Sequence, residues 1–183
     1  MRRLAQEGLD ATARRATGVT DEELSAFQQA ADAMYFPKES KLGISPQDDT
    51  FLQKQVLDLK AIPRENFPLL LHYHPLYLYR YQVCKQADTV LAHLLFPDSA
   101  DFETARRSYE YYQKVTTHDS SLSLCVFAMA AARLDKPEEA GELFAQTVGL
   151  DLNDTHGNTR DGLHTANMGG AYLCVLRGFA GLM

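Results

Sequence analysis

Nine consecutive apolar residues, Leu124-Cys125-Val126-Phe127-Ala128-Met129-Ala130-Ala131-Ala132, follow directly on the polar string Thr116-Thr117-His118-Asp119-Ser120-Ser121-Leu122-Ser123. Ser, Thr and Asp start helices, because their side-chain oxygens accept bonds from the free N–H groups of the first turn. The string therefore opens a helix over 122–134 and commits the middle of the chain to helical structure. The same free N–H groups, with the helix dipole behind them, form an anion site. His118 and the hydroxyls of Ser120 and Ser121 add three groups able to hold an oxyanion. Read locally, the element is a helix cap.

Helical spacing extends both ways from this point. Thr20 has the position of an N-cap, with Glu23 as its capping-box partner, and Leu24, Phe27, Ala30, Ala31 and Met34 recur at three and four, predicting a helix that ends near Tyr35 before Pro37. A short helix is expected over 4–15. Residues 36–50 carry Pro37, Gly43 and Pro46 and form a loop, residues 51–59 are ambiguous, and Pro63, Pro68 and Pro75 divide residues 60–78 into turns and short extended pieces. From Tyr79 onward helical patterning dominates. Val83, Ala87, Val90, Leu91, Leu94 and Leu95 make one face. Asp101 caps a second segment lined by Ala105, Tyr109, Tyr112 and Val115, and Pro137 opens a helix over 138–148 that buries Ala140, Leu143, Phe144 and Val148. A polar loop over 151–161 precedes a last helix over 163–179, whose Gly and Ala residues let another helix approach closely. No convincing strand pair is visible, so the class is all-α, with antiparallel helices joined by short loops. Residues 130–145 resemble one tetratricopeptide hairpin, but no second copy follows at the required period.

Length and composition fit one globular domain: 183 residues, 45% hydrophobic and 23% charged. A net charge of -6 argues against nucleic acid or an anionic membrane as partner. No apolar stretch is long enough to span a bilayer, and Met1-Arg2-Arg3-Leu4 introduces no signal peptide. Cys84, Cys125 and Cys174 are dispersed in apolar contexts without CxxC spacing. They are expected as reduced, buried thiols of a cytoplasmic protein.

Four constellations could carry chemistry. Gln47-Asp48-Asp49 lies in a loop and reads by itself as a solvated turn. Lys85-Gln86 with Asp88 offers donors for sugar hydroxyls or an anion on the polar face of a helix. The serine element is the third, and Thr159-Arg160-Asp161-Gly162-Leu163-His164 is a helix start with a histidine in its first turn. The histidines make no metal site, since His72, His74, His118, His156 and His164 join neither paired cysteines nor an acidic cluster.

In order and spacing, Gln47-Asp48, Lys85-Gln86-Ala87-Asp88, Thr117-His118-Asp119-Ser120-Ser121-Leu122-Ser123, Asp151-Leu152, Gly162-Leu163-His164 with Gly169, and Gly178-Phe179-Ala180-Gly181 resemble the C-terminal part of the glycoside hydrolase family 65 catalytic domain. The likeness covers residues 20–183. That family contains the inverting maltose, trehalose and kojibiose phosphorylases. The resemblance implies an (α/α)6 barrel and cleavage of an α-glucosidic bond by inorganic phosphate, with release of β-glucose 1-phosphate. It makes Ser120, Ser121 and His164, with the Gly162-Leu163 turn, phosphate ligands. It assigns Lys85 and Gln86 to the glucosyl hydroxyls, leaving Gln47 and Asp48 to shape the cavity wall.

Bound phosphate takes the place of the carboxylate and water with which an inverting hydrolase attacks the sugar. A site with two hydroxyls at that point favours phosphorolysis over hydrolysis. The implied partners are a disaccharide, glucose and phosphate as co-substrate, with no cofactor and no metal, and a homodimer for a full-length parent. One departure is plain: the family's general-acid Glu lies in a Gly-Pro-Asp-Glu-Tyr motif, and no such motif occurs here. The expectation is one partial barrel domain over 1–183, without the N-terminal β-sandwich, the first barrel helices or the C-terminal β domain, and with no catalytic acid of its own. Such a piece would be inactive alone. The alternative is a helical module that binds sugar or phosphate, or a protein partner, without catalysis.

Overall fold

The computed structural model describes residues 11–182 and divides into two compact units, Met1–Phe36 and Pro37–Met183. In the first unit, helices α1 (Ala11–Thr17) and α2 (Asp21–Asp32) are joined by an ion pair between Arg14 and Asp21. The predicted capping box is present. Glu23 N–H donates to Thr20 Oγ1 at 3.2 Å, and Thr20 N–H donates to Glu23 Oε2 at 2.9 Å. Helix α2 stops at Asp32, earlier than the spacing predicts. Its apolar stripe is half-buried at Leu24, Phe27 and Ala31, while Met34 and Tyr35 stand exposed. Of the helix expected over 4–15, residues 1–10 lie outside the described residues.

The second unit begins with irregular chain. A short helical turn at Phe51–Gln53 leads into β1 (Gln55–Val56), which pairs in parallel with β2 (Tyr81–Gln82). Between them come two one-turn helices, α3 (Leu69–His72) and α4 (Pro75–Leu78). The regular part follows as α5 (Asp88–Leu95), α6 (Phe102–Val115), α7 (Ser123–Arg133), α8 (Pro137–Leu152) and α9 (Thr165–Leu173), which runs on into a π-helical segment, Cys174–Phe179. Asp101 caps α6 as expected, accepting the Thr104 N–H at 2.7 Å.

Two expectations are corrected. The apolar face beginning at Val83 is helical only from Asp88, because Tyr81–Gln82 is claimed by β1 and Cys84 bridges in parallel to Thr116. Lys85 and Gln86 therefore sit in a bend ahead of α5 and not on a helix. In α8, Ala140 is buried as predicted, but Val148 is 42% exposed while Thr147 and Leu150 are buried. Steps of three and four from Ala140 through Leu143 and Phe144 reach 147 and 150, and Val148 falls one position off the face.

The core joins α6 and α7 through Tyr109, Tyr112, Val115, Cys125, Phe127 and Ala131, with Val90 and Leu94 of α5 and Phe51 closing it. All three cysteines are free and buried, as expected. Helices α7 and α8 form a tight hairpin, and α9 then lies along α7. A Cβ at Gly170 would come within 2.5 Å of Cys125 Sγ, and one at Gly178 within 3.5 Å of Ala132 and Met129. The small residues thus permit the close approach their spacing predicted. Because 170 faces 125 and 178 faces 129 and 132, α9 runs parallel to α7, and both helices start at the same end. No described helix is long and apolar enough to cross a membrane.

Candidate functional site

The polar string meets the lysine-glutamine pair through one backbone seam. Cys84 N–H donates to Val115 O at 2.8 Å, and Thr117 N–H donates to Cys84 O at 2.9 Å. This lays residues 85–86 beside 118–121. Ser120 Oγ donates to Gln86 Oε1, and Gln86 Nε2 donates to Asp88 Oδ1 at 2.8 Å. Ser120 shapes the turn ahead of α7, its Oγ accepting the Leu122 N–H at 3.3 Å and its carbonyl the Ser123 N–H at 3.0 Å, but it does not cap the helix, whose N-cap position is Leu122 and carries no side-chain cap bond. Ser121 is half-exposed in the turn before α7, and its hydroxyl has no hydrogen-bond partner among the described residues.

His118 does not join the two serines. Its backbone has φ +58, and its ring turns inward, with Nδ1 at 2.8 Å from Ser123 Oγ and the plane edge-on to Phe127 at 4.8 Å between centroids. Burial holds its pKa below the ordinary imidazole value, against the opposing pull of Asp119. It braces the turn and is turned away from the two serines beside which it was expected to hold an anion. Asp119 likewise braces a neighbour, accepting the Leu69 N–H at 2.9 Å.

Beside this seam opens a cleft of about 430 Å³, with Gln47, Asp48, Tyr79, Tyr81, Lys85 and Gln86 among its walls. The Lys85 ammonium is exposed and has no ion-pair or hydrogen-bond partner among the described residues. Gln47 accepts from Thr89 Oγ1 at 3.2 Å. Asp48 accepts from the Thr50 hydroxyl and N–H, each at 2.7 Å, and lies 3.5 Å from Lys54 Nζ. Those contacts, the Thr50 hydroxyl foremost, hold its carboxyl below the usual range. Cys84 lies in the same wall, but burial pushes its thiol up to about 12, so it is inert at neutral pH. Among the described residues no group of three or more His, Cys, Asp or Glu could hold a metal ion.

His164 N-caps α9 and is held from behind by Asp151 at the end of α8. Its backbone N–H donates to Asp151 Oδ2 at 2.9 Å, and its Nδ1 lies 2.6 Å from Asp151 Oδ1. Gly162 precedes it at φ +135, a conformation that excludes residues with a Cβ although the space around it is open. His164 stands six positions before Gly170, about 9 Å along a helix axis, and Ser121 stands about one turn ahead of Cys125. With α7 and α9 parallel, the serine pair and His164 lie at the same end of the two helices. The candidate residues thus fall into two sets. Gln86 and Ser120 are hydrogen-bonded directly, with Lys85 next to Gln86 in the cleft wall, while Gly162 and His164 share with the serines the N-terminal end of a helix pair. Asp151 as the clamp on His164 was not legible as such, because its partner lies 13 residues away across a polar loop.

The model of the glycosyl hydrolase family 65 central catalytic domain matches residues 3–173. The α,α-trehalose phosphorylase of Geobacillus stearothermophilus is 60% identical over 164 residues, covering 90% of this chain and 21% of that protein. The α,α-trehalose phosphorylase of Thermoanaerobacter brockii is 43% identical, covering 88% and 21%. A solved structure described as a kojibiose phosphorylase from the human microbiome superposes with a TM-score of 0.80 at 26% identity, over 97% of this chain and 24% of that one. The chain spans about a fifth of the length of the curated relatives it matches.

Proposed function

This chain belongs to glycosyl hydrolase family 65, its helices forming the C-terminal portion of an (α/α)6 barrel, and we propose that it carries the phosphate side and part of the glucosyl side of an inverting disaccharide phosphorylase. The substrate is α,α-trehalose, on the strength of the 60% identity to a trehalose phosphorylase. In the reaction a phosphate oxygen bonds to the anomeric carbon as the glycosidic C–O bond breaks on the opposite face. The departing oxygen takes a proton from a carboxylic acid, and β-glucose 1-phosphate and glucose leave.

Ser120, Ser121 and His164, at the common start of α7 and α9, hold the phosphate, with the Gly162-Leu163 turn shaping the seat. Hydroxyl and imidazole donors together with two helix N-termini suit a dianion. Lys85 and Gln86 hold hydroxyls of the glucosyl unit in the adjoining cleft. The observation that supports this reading is the Ser120–Gln86 hydrogen bond: the residue we read as a phosphate ligand touches the one we read as a sugar ligand, as an attack of one on the other requires. Phosphate accepting the Ser120 proton would release the Gln86 amide oxygen for a sugar hydroxyl.

These 183 residues hold no Gly-Pro-Asp-Glu-Tyr motif. Without that proton donor the polypeptide by itself turns over no disaccharide at a useful rate, since a general acid contributes on the order of 10²–10⁴. The test is therefore a graft of residues 20–183 into the matching segment of the Geobacillus enzyme. With trehalose and phosphate the graft should release β-glucose 1-phosphate. Ser120→Ala with Ser121→Ala should raise its KM for phosphate at least about tenfold, the effect of a lost charge-assisted bond. Release of glucose that does not depend on phosphate would overturn the proposal.

A further inference from the structure

Asp151 makes two hydrogen bonds to one residue. It takes both the main-chain N–H and the ring Nδ1 of His164, so backbone and imidazole are fixed together. The carboxylate is nearly enclosed, its side chain 9% exposed against 21% for His164. The bond to His164 is also the main cause that holds its pKa below the usual carboxylate range. An ionised carboxylate can only accept, so Nδ1 must carry the proton. Nε2 is then the one ring nitrogen left to meet a ligand. Of the other charged or titratable groups nearby, Asp154 is turned to its own loop, where its Oδ1 accepts the Thr159 N–H, and the His156 ring stands edge-on to His164 at 6.0 Å between centroids. Neither competes for Nδ1.

We propose that Asp151 is the positioning residue of the phosphate seat: it holds the Nδ1–H of His164, so that the ring meets the anion as an imidazolium whose Nε2–H donates to a phosphate oxygen. The inference rests on the reading of His164 as a phosphate ligand and goes beyond it by naming what orients the ring. Substitution by Asn has a definite consequence. An amide offers one acceptor and one donor where the carboxylate offers two acceptors. The main-chain N–H of His164 can only donate, so it claims the amide oxygen. The amide NH₂ then faces Nδ1, which must stay unprotonated, so the ring is confined to the neutral Nε2–H form and brings no positive charge to the anion.

Imidazole ¹⁵N spectra of the full 183-residue chain, titrated with inorganic phosphate, test both layers. The unsubstituted chain should show His164 with the Nδ1–H signature, and phosphate should move its Nε2 resonance toward that of a protonated nitrogen. In Asp151→Asn the signature should change to Nε2–H and phosphate should bind about tenfold to a hundredfold more weakly. Asp151→Glu, which keeps two acceptors, should return the Nδ1–H form. A ring protonated at Nε2 and not at Nδ1 in the unsubstituted chain overturns the proposal without need of any variant. So does an Asp151→Asn chain that binds phosphate as tightly as its parent, and that outcome leaves the phosphate seat standing. If phosphate leaves His164 undisturbed in the unsubstituted chain, the seat itself is overturned and the positioning role with it.

Discussion

The regular helices α5–α9 and the irregular stretch over 37–87 hold their shapes by different means, and the candidate site lies where they meet. The helices bury apolar faces, with Tyr109, Tyr112, Phe127 and Ala131 wholly enclosed. The irregular stretch buries scattered apolar side chains, Ile44, Phe51, Leu69 and Leu78 among them, and is pinned besides by polar side chains, several of them from the helices. Tyr112 donates its hydroxyl to Ser45 O at 2.9 Å, Ser108 Oγ accepts the Ser45 N–H at 3.0 Å, and Asp119 accepts the Leu69 N–H. Tyr111 donates to Gln82, whose own amide donates to Lys54 O at 2.5 Å. The cleft's irregular wall thus takes part of its order from the helices, through a few clamps. The dependence runs in one direction: damage to the helices should dissolve both regions, and damage to a clamp should loosen only one.

The largest effect is expected at Phe127, which packs 5.4 Å from the Tyr109 ring and also supports His118. Phe127→Ala should lower unfolding stability by about 3–5 kcal/mol, the range for a wholly buried aromatic. Hydrogen exchange should quicken in α6, α7 and the 37–87 stretch alike. A loss below about 1 kcal/mol, or one confined to the helices, would separate what the comparison joins.

Tyr112→Phe removes one clamp and keeps the packed ring. The carbonyl of Ser45 is left without its donor, at a cost of about 1–3 kcal/mol. Exchange should quicken at residues 44–54, while the amides of α7 keep their protection. Uniform quickening would mean that the hydroxyl supports the core as a whole and that the two regions are one cooperative body.

The same division governs how much of the molecule could be read in advance. Ala105, Tyr109, Tyr112 and Val115 repeat at helical spacing, and Thr20 with Glu23 or Asp101 ahead of its helix mark starts by local chemistry, so these elements were legible. Residues 83–87 were not, since Val83, Ala87 and Val90 keep a helical spacing that only the pairing of Cys84 with Thr116 overrides. That partner is remote in the chain and carries no local mark. In the site, Gln86 and Ser120 stood out by their side chains, and the seam that brings them together did not. His118 looked like an anion ligand because its string is polar. Its inward turn depends on a positive φ and on Phe127 beneath it, neither of which composition reveals.

The smallest effect tests the seam itself, through protons. Burial holds His118 and His93 below the ordinary imidazole pKa, so both stay neutral in the folded chain where an unfolded chain would protonate them. Their contribution to stability is fully present above about pH 6.5 and is lost as pH falls through that value toward their folded pKa. Carboxylates titrate lower, near about pH 4, so urea melts at about pH 7.5 and about pH 5.5 isolate the imidazoles. Stability should fall between the two. His118→Asn should reduce the fall, since Asn tolerates the positive φ at that position and does not titrate. A fall of the same size in this variant would assign the protons to His93, which lies 3.0 Å from Ser45 Oγ on the irregular side. The pH-sensitive point would then sit in the clamped region and not at the start of α7.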